Sequence, residues 1–274
     1  MKNTITFIIP VRHQENSKDW SRLKSNLTQT IASIANQSSK DWRAVIIANE
    51  GADLPEVPAG FDIVRVNFPP NQLHDLPAGN KELFYDAFRL DKGRRVLKGM
   101  LHIPDAAYYM IVDDDDFVSS QLVDYVAANS TESGWKIRNG YVWGDGGQWL
   151  FLHNDFSNFC GTSLIIRSDL YKLPPSFEDA SEDYIKTMLG SHVRIGKILQ
   201  DKGYPLKPLP FAGAVYRVGH AGAHSNSPGL AKMYFFNKYY LLRPHKFLKN
   251  VLSLRKLTQA YASEFLIPTG VSHR

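Results

Sequence analysis

Residues 109–116 read YMIVDDDD, an apolar strand that runs straight into four consecutive aspartates. Tyr108 to Val112 has the pattern of a buried strand. Carboxylates placed side by side repel one another unless water or a cation screens them. In an open α/β sheet, ligands bind beyond the carboxyl ends of the strands. Acids at that place suit a hard divalent cation and, through it, a phosphate. A solvated acidic turn that caps a following helix is the plainer reading. Four acids directly after a buried strand favour the first.

The segments around this strand repeat its logic. Ile5–Pro10, Arg43–Asn49 and Phe61–Phe68 read as three further strands. Trp20, Leu23, Leu27, Ile31 and Ile34 recur at helical spacing between the first two. A second helix is expected from Glu82 to Leu101, interrupted or capped near Gly93. A third is expected from Val118 to Ala128. Strand, helix and strand with short connections predict an α/β, Rossmann-like, mostly parallel sheet. From Trp135 to Arg167 the pattern turns aromatic and glycine-rich, with hairpin-like pieces at 141–143, 149–152 and 163–167. Helical spacing returns over 181–200, with Gly203 as its C-cap. Short strands follow at 206–209 and 214–218.

The chain has 274 residues, 43% of them hydrophobic, enough for one sizeable core. A single cysteine, Cys160, excludes an internal disulfide and fits a reducing compartment. No apolar run reaches the length of a membrane span, and no signal-peptide pattern precedes the first strand. The expected location is cytoplasmic, with peripheral contact at the inner face of the membrane. The net charge of +5 is modest, and no nucleic-acid partner is expected. The expected organisation is one domain over residues 1–229, divided into a nucleotide-binding half (1–118) and an acceptor half (119–229), with a tail over 230–274.

Four elements in order resemble glycosyltransferase family 2 enzymes of the GT-A fold, over roughly residues 4–225. They are the strand ending at Pro10, NQSSKDWRAVII (36–47), IVDDDDFVS (111–119) with its Asp-x-Asp pattern, and GSHVRIGKILQDKGYPLKPLPFAGAVYRVGH (190–220). The resemblance implies a metal-dependent transferase of hexosyltransferase type. It would move a sugar from a nucleotide-sugar, UDP by preference, to a hydroxyl of a glycan or lipid-linked acceptor, with inversion, in surface polysaccharide synthesis. Asp115 is then the implied ligand to Mn²⁺ or Mg²⁺. Asp113 and Asp114 face the ribose or metal-bound water, and Asp116 supports them from behind. The nucleoside is implied over the ends of the first two strands, near Pro10, Val11, Arg12, Asn49 and Glu50. The family often carries paired acids after its second strand, and Asn49-Glu50-Gly51 stands here instead.

Lys92, Arg94 and Arg95, in DKGRRVLKG (91–99), offer cations to a diphosphate; a solvated basic helix face is the alternative. His220 and His224 are candidates to complete the metal shell, and imidazole favours manganese. Arg217 is a further cation for the diphosphate. Trp143–Trp149, with Asp145, and Cys160–Arg167 lie where the family binds sugar and acceptor. The base is open. Counting back from Lys202-Gly203-Tyr204, the family's Glu-Asp pair falls on Ser191-His192, so histidine stands where aspartate is usual. Histidine is competent near neutrality. Asp183, in the pair Glu182-Asp183, is the alternative base, and a core histidine at position 192 is the third.

Between Leu230 and Ser263 there is no acid, whereas seven lysines and arginines alternate with aromatic and aliphatic residues. One or two basic amphipathic helices are expected there, either on an anionic membrane or packed on the core or on a second copy of the chain. Other enzymatic readings are a retaining transferase of the same fold or a nucleotidyltransferase. The latter wants a glycine-rich loop after the first strand, where Val11-Arg12-His13-Gln14 stands. A catalytically silent GT-A protein that binds carbohydrate or nucleotide is the reading from another class.

Overall fold

The computed structural model describes residues 3–73, 81–219, 229–236 and 238–269. Its architecture is α/β, with two sheets. The first sheet contains β1 (Ile5–Pro10), β2 (Trp42–Asn49), β3 (Phe61–Val66), β4 (Tyr108–Ile111), β6 (Gly134–Lys136), β9 (Leu164–Arg167) and β10 (Lys207–Pro208). The second contains β5 (Phe117–Val118), β7 (Gly140–Gly144), β8 (Trp149–His153), β11 (Ala214–Val218) and β12 (Leu254–Lys256). The helices are α1 (Trp20–Ala35), α2 (Lys81–His102), α3 (Leu122–Ala128), α4 (Phe156–Phe159), α5 (Glu182–Tyr184), α6 (His192–Asp201), α7 (Leu230–Tyr234), α8 (Lys238–Leu241), α9 (Pro244–Ser253) and α10 (Gln259–Phe265).

The first sheet runs β10-β6-β9-β4-β1-β2-β3. β1 is parallel to both β2 and β4, pairing Ile8 with Val45 on one side and Ile111 on the other. Every residue of β1 is buried, as expected for a central parallel strand covered on both faces. The chain winds from β1 outward to β2 and β3, then returns to place β4 on the other side of β1. The point between β1 and β4 is therefore a topological switch, the usual crevice for a ligand.

α1 begins at Asp19, whose carboxylate accepts from the Arg22 amide at 2.8 Å. Its inward stripe is Leu23, Leu27, Ile31 and Ile34. α2 covers the opposite face with Val96, Leu97 and Met100. It runs through Gly93 without interruption, contrary to the expected break. A Cβ on Gly93 would lie 2.5 Å from the Ile185 carbonyl, so the glycine serves close approach between segments.

Three other expectations need correction. The segment after the acids is not helical from Val118: β5 forms first, antiparallel to β11, and α3 starts at Leu122. The helix expected over 181–200 is broken. After α5, a π-helical turn at Ile185–Leu189 ends at Gly190, and Ser191 caps α6 by accepting from the Arg194 amide at 3.3 Å. A Cβ on Gly190 would lie 2.1 Å from the Arg89 carbonyl of α2, so this break is a packing requirement. The basic C-terminal stretch is helical only in part. Leu254–Lys256 forms β12 against β8, and Phe265 of α10 is fully buried beside Tyr141. Among the described residues, no helix is long and apolar enough to cross a membrane.

Candidate active site at the end of β4

The Val112 amide donates to the Ile8 carbonyl at 2.9 Å, which carries the ladder to the edge of the acid turn. The turn closes when the Asp116 amide donates to the Asp113 carbonyl at 3.2 Å. Asp116 is fully buried and points into the protein. It accepts from the Thr162 hydroxyl at 2.6 Å, the Cys160 thiol at 3.2 Å and the Arg217 amide at 3.3 Å. Thr162 also accepts from the Asp113 amide at 2.9 Å. Burial, then the charges of Asp115 and Asp113, push the Asp116 carboxyl well above its usual range. A buried carboxyl without these donors would cost several kcal/mol, roughly. Asp116 thus fixes the turn that aims its three neighbours outward.

Asp113, Asp114 and Asp115 line a cavity of about 680 Å³. Pro10 and Arg12 reach it from the end of β1, residues of α2 from one side, Phe159 and Cys160 from α4 and its cap, and Gly190 to Arg194 from the start of α6. Arg12 Nη2 lies 3.6 Å from Asp114 Oδ1. Burial raises the Asp114 carboxyl to about 6; Arg12 opposes this, and Asp115 and Asp113 add to it. Lys92 Nζ is ion-paired with Asp113. Burial favours neutral Lys92, but the charge and hydrogen bond of Asp113 outweigh it and raise the ammonium pKa. Gly161 sits against this pair: a Cβ there would lie 2.7 Å from Asp113 Oδ2 and 2.9 Å from Lys92 Nζ.

His192 faces the same space from the first residue of α6. Burial, then the charge of Lys92, lower its pKa from 6.5 to about 4, against opposing contributions from Asp113 and a hydrogen bond to the Asn158 backbone. The imidazole is therefore neutral above about pH 4. Its Nε2 is buried and has no hydrogen-bond partner among the described residues.

Arg95 also lines the cavity but is 1% exposed and committed to the protein. It donates to Asn49 Oδ1 at 2.7 Å and to Asp91 at 3.2 and 3.3 Å. Asn49 donates in turn to the Phe68 carbonyl at 2.6 Å. Both ends of its amide are occupied and it stands off the cavity wall, so it braces α2 against β2. Glu50 is exposed and also off the wall, as is Asp183 in the first turn of α5. Arg217 does not reach the acids from the cavity side. Its guanidinium is buried over Phe117 and Trp143 and donates to Asn26 and Gln29. Asp145 pairs with Arg22 at a smaller cavity of about 200 Å³, and Trp143 is core. His220 and His224 lie outside the described residues.

Residues that sequence reading passed over complete the wall. Asn16 and Asn71 clasp each other, with Asn71 N to Asn16 Oδ1 at 2.7 Å and Asn16 Nδ2 to the Asn71 carbonyl at 3.0 Å. Phe84, Tyr85 and Phe88 form an aromatic shelf on the first turns of α2, near Arg89 and Arg194. An aromatic cluster at positions i, i+1 and i+4 of one helix is the signal that could have found them. Phe159 and Tyr216 close the far side, packed edge to face at 5.2 Å. Among the described residues, no three His, Cys, Asp or Glu side chains converge as a ready metal cage.

No family model matches the chain, and no curated protein matches it in sequence. Among solved structures, it is similar to S. aureus TarS 1-349 at 13% identity and a TM-score of 0.40, covering 79% of this chain and 60% of that one. The complex of TarS 1-349 with UDP gives 13% identity and 0.39, covering 80% and 61%. The chain thus spans about 60% of the length of these TarS structures. The manganese complex of Rv0371c from Mycobacterium tuberculosis H37Rv gives 11% identity and a TM-score of 0.36, covering 79% of this chain and 92% of that one.

Proposed function

We propose that the chain is a glycosyltransferase that moves a sugar from a nucleotide-sugar, preferably a UDP-sugar, to a hydroxyl of a glycan or lipid-linked saccharide. The observation that carries this reading is the pairing of opposite charges at the β1–β4 switch point. Three carboxylates and the cations Arg12 and Lys92 face one cavity. Acids alone would repel a diphosphate and cations alone would hold any anion. The combination suits a diphosphate accompanied by a divalent cation.

The residues present fit such a cation. Asp114 and Asp115 offer hard oxygen ligands from adjacent positions, and fewer than three fixed ligands leave coordination sites for phosphate oxygens. Bound Mn²⁺ or Mg²⁺ would supply neutralisation of the charge that develops on the leaving diphosphate. Arg12 and Lys92 add to that neutralisation from the protein side. Asp113 holds Lys92 charged and in place. Asp116 holds the turn.

His192 is the base in this reading. The acceptor oxygen attacks the anomeric carbon while the bond from that carbon to the diphosphate oxygen breaks. The electron pair leaves with the diphosphate, and the hydroxyl proton passes to the imidazole of His192. One displacement inverts the centre. A pKa of about 4 makes His192 a weak base, so it serves as the proton leaves rather than before. The same weakness favours a second reading, in which the protein binds the nucleotide-sugar without transferring it.

Incubation with a panel of nucleotide-sugars and Mn²⁺ separates the two. Slow release of free sugar, dependent on metal and on Asp115, supports transfer chemistry. Nucleotide binding without release from any donor or to any acceptor supports the silent reading.

A further inference from the structure

The basic C-terminal stretch is not part of the cavity, yet its surface is unlike the rest of the chain. Six of the thirteen large apolar side chains that are exposed among the described residues fall within residues 236–252. Scattered exposed apolar residues call for no explanation, whereas a concentration of them does.

α9 shows how the patch is built. Its inner side is fastened to the protein: Asn250 Nδ2 donates to the Tyr234 carbonyl at 2.6 Å, and Phe247 packs on Phe235 with ring centroids 5.6 Å apart. The opposite stripe is His245, Leu248, Lys249 and Leu252, at i, i+3, i+4 and i+7. Leu248 is 62% exposed and Leu252 77%, and just before the helix Leu242 is 78% exposed. Arg243 and Lys246 stand over the ring of Tyr239 at 4.2 and 4.6 Å. An aromatic flanked by cations beside an aliphatic stripe is the arrangement of a helix lying in a membrane interface.

We propose that this face docks on an anionic lipid surface, with Leu248 and Leu252 entering the acyl boundary and Lys238, Arg243, Lys246 and Lys249 meeting the headgroups. Charge selects this occupant. Seven cations and no acid lie between Leu230 and Ser263, so a second copy of the same face would bring like charges together. Anionic headgroups instead reward each cation. The inner side of α9 leads toward the cavity. Its Phe247 shares one apolar cluster with Tyr234, Phe235, Phe159 and Tyr216, and the last two line the cavity. If the transfer reading holds, docking places the cavity beside membrane-borne acceptors. The docking itself does not depend on that reading.

The test is sedimentation of the full chain with vesicles of phosphatidylcholine alone and of phosphatidylcholine mixed with phosphatidylglycerol. The protein should pellet with the mixed vesicles, stay in solution with the neutral ones, and detach as salt rises. The variants Leu248→Ser/Leu252→Ser and Lys246→Glu/Lys249→Glu should each weaken binding at least about tenfold. Both should keep the wild-type melting temperature and donor hydrolysis, since Leu248, Lys249 and Leu252 are exposed, Lys246 is half-buried against Tyr239, and none of the four lines the cavity. Three results would overturn the proposal: no binding to either vesicle, equal binding to both, or full binding by both variants. A concentration-dependent dimer that the leucine variant abolishes, without vesicle binding by the wild type, would assign the face to a second copy instead. Donor hydrolysis reports on the cavity in either case, so failure of docking and failure of the transfer reading remain distinct.

Discussion

On the wall beneath β4, the acids are tied into the sheet by buried hydrogen bonds; on the other wall, side chains of α2 and of the start of α6 face the cavity from helices. Asp116, Thr162, Cys160 and the Arg217 amide form one closed set around the acid turn. Among the described residues, His192 has a hydrogen bond to the Asn158 backbone and a buried Nε2 without a partner, on the first residue of a helix. Tyr85, on the first turns of α2, is 49% exposed. A wall of the first kind is fixed before substrate arrives and suits a charged group that must always sit in one place. A wall of the second kind can admit acceptors that differ in shape. The two meet at Lys92, which pairs with Asp113 and also lowers the His192 pKa.

The largest test of this contrast lies on the acid wall. Asp115→Ala should lower donor hydrolysis by about 10³-fold or more, the scale of losing electrostatic stabilisation of a leaving group. Addition of a chelator to the wild type should match it, and activity indifferent to both would break the contrast. His192→Ala should lower transfer by about 10²-fold while leaving nucleotide affinity unchanged, as expected for loss of a general base. The pH profile sharpens this. Imidazole accepts a proton only when neutral, and with a pKa of about 4 it is already neutral well below 6.5. The His192 limb should therefore lie near 4, below any limb from protonation of Asp114, whose carboxyl burial raises to about 6. Removal of the neighbouring positive charge in Lys92→Met should move the His192 limb upward. An acid limb near 6.5 that disappears in His192→Ala would contradict the buried environment of His192.

Gly161→Ala probes the junction between the walls. Its Cβ would crowd the Lys92–Asp113 pair, so donor affinity should fall about tenfold, equivalent to roughly 1.4 kcal/mol, with little change in melting temperature. The smallest effect is expected at the aromatic shelf. Tyr85→Ala should raise the acceptor KM about two- to tenfold, the range of one aromatic contact of roughly 0.5–1.5 kcal/mol, with donor binding unaffected.

The same contrast explains what could be read from the chain alone. β1, β2 and β4 are continuous apolar runs, and the turn after β4 follows from four adjacent letters; both signals are local. The break at Gly190 is not local, because the Arg89 carbonyl that forbids a side chain there belongs to another helix. Asn49 and Arg95 looked like ligand groups from their positions after a strand and before the acids. Their mutual hydrogen bond, across 46 residues, is a partner that position in the chain does not reveal. Arg217, a candidate cation for the diphosphate from its place three residues before His220, meets Asp116 through its backbone amide, while its guanidinium donates to Asn26 and Gln29 of α1. Polar residues declare their chemistry in sequence but not their partners. The helix wall depends on partners, so less of it was legible.

The central claim is that the acid turn and its cations hold a nucleoside diphosphate with a divalent cation. Calorimetric titration of UDP into the protein, with and without Mn²⁺, tests this most directly when repeated on Asp115→Asn. Metal-dependent binding in the wild type that disappears in the variant is the predicted result. No binding by the wild type, or equal binding by wild type and variant, would contradict it.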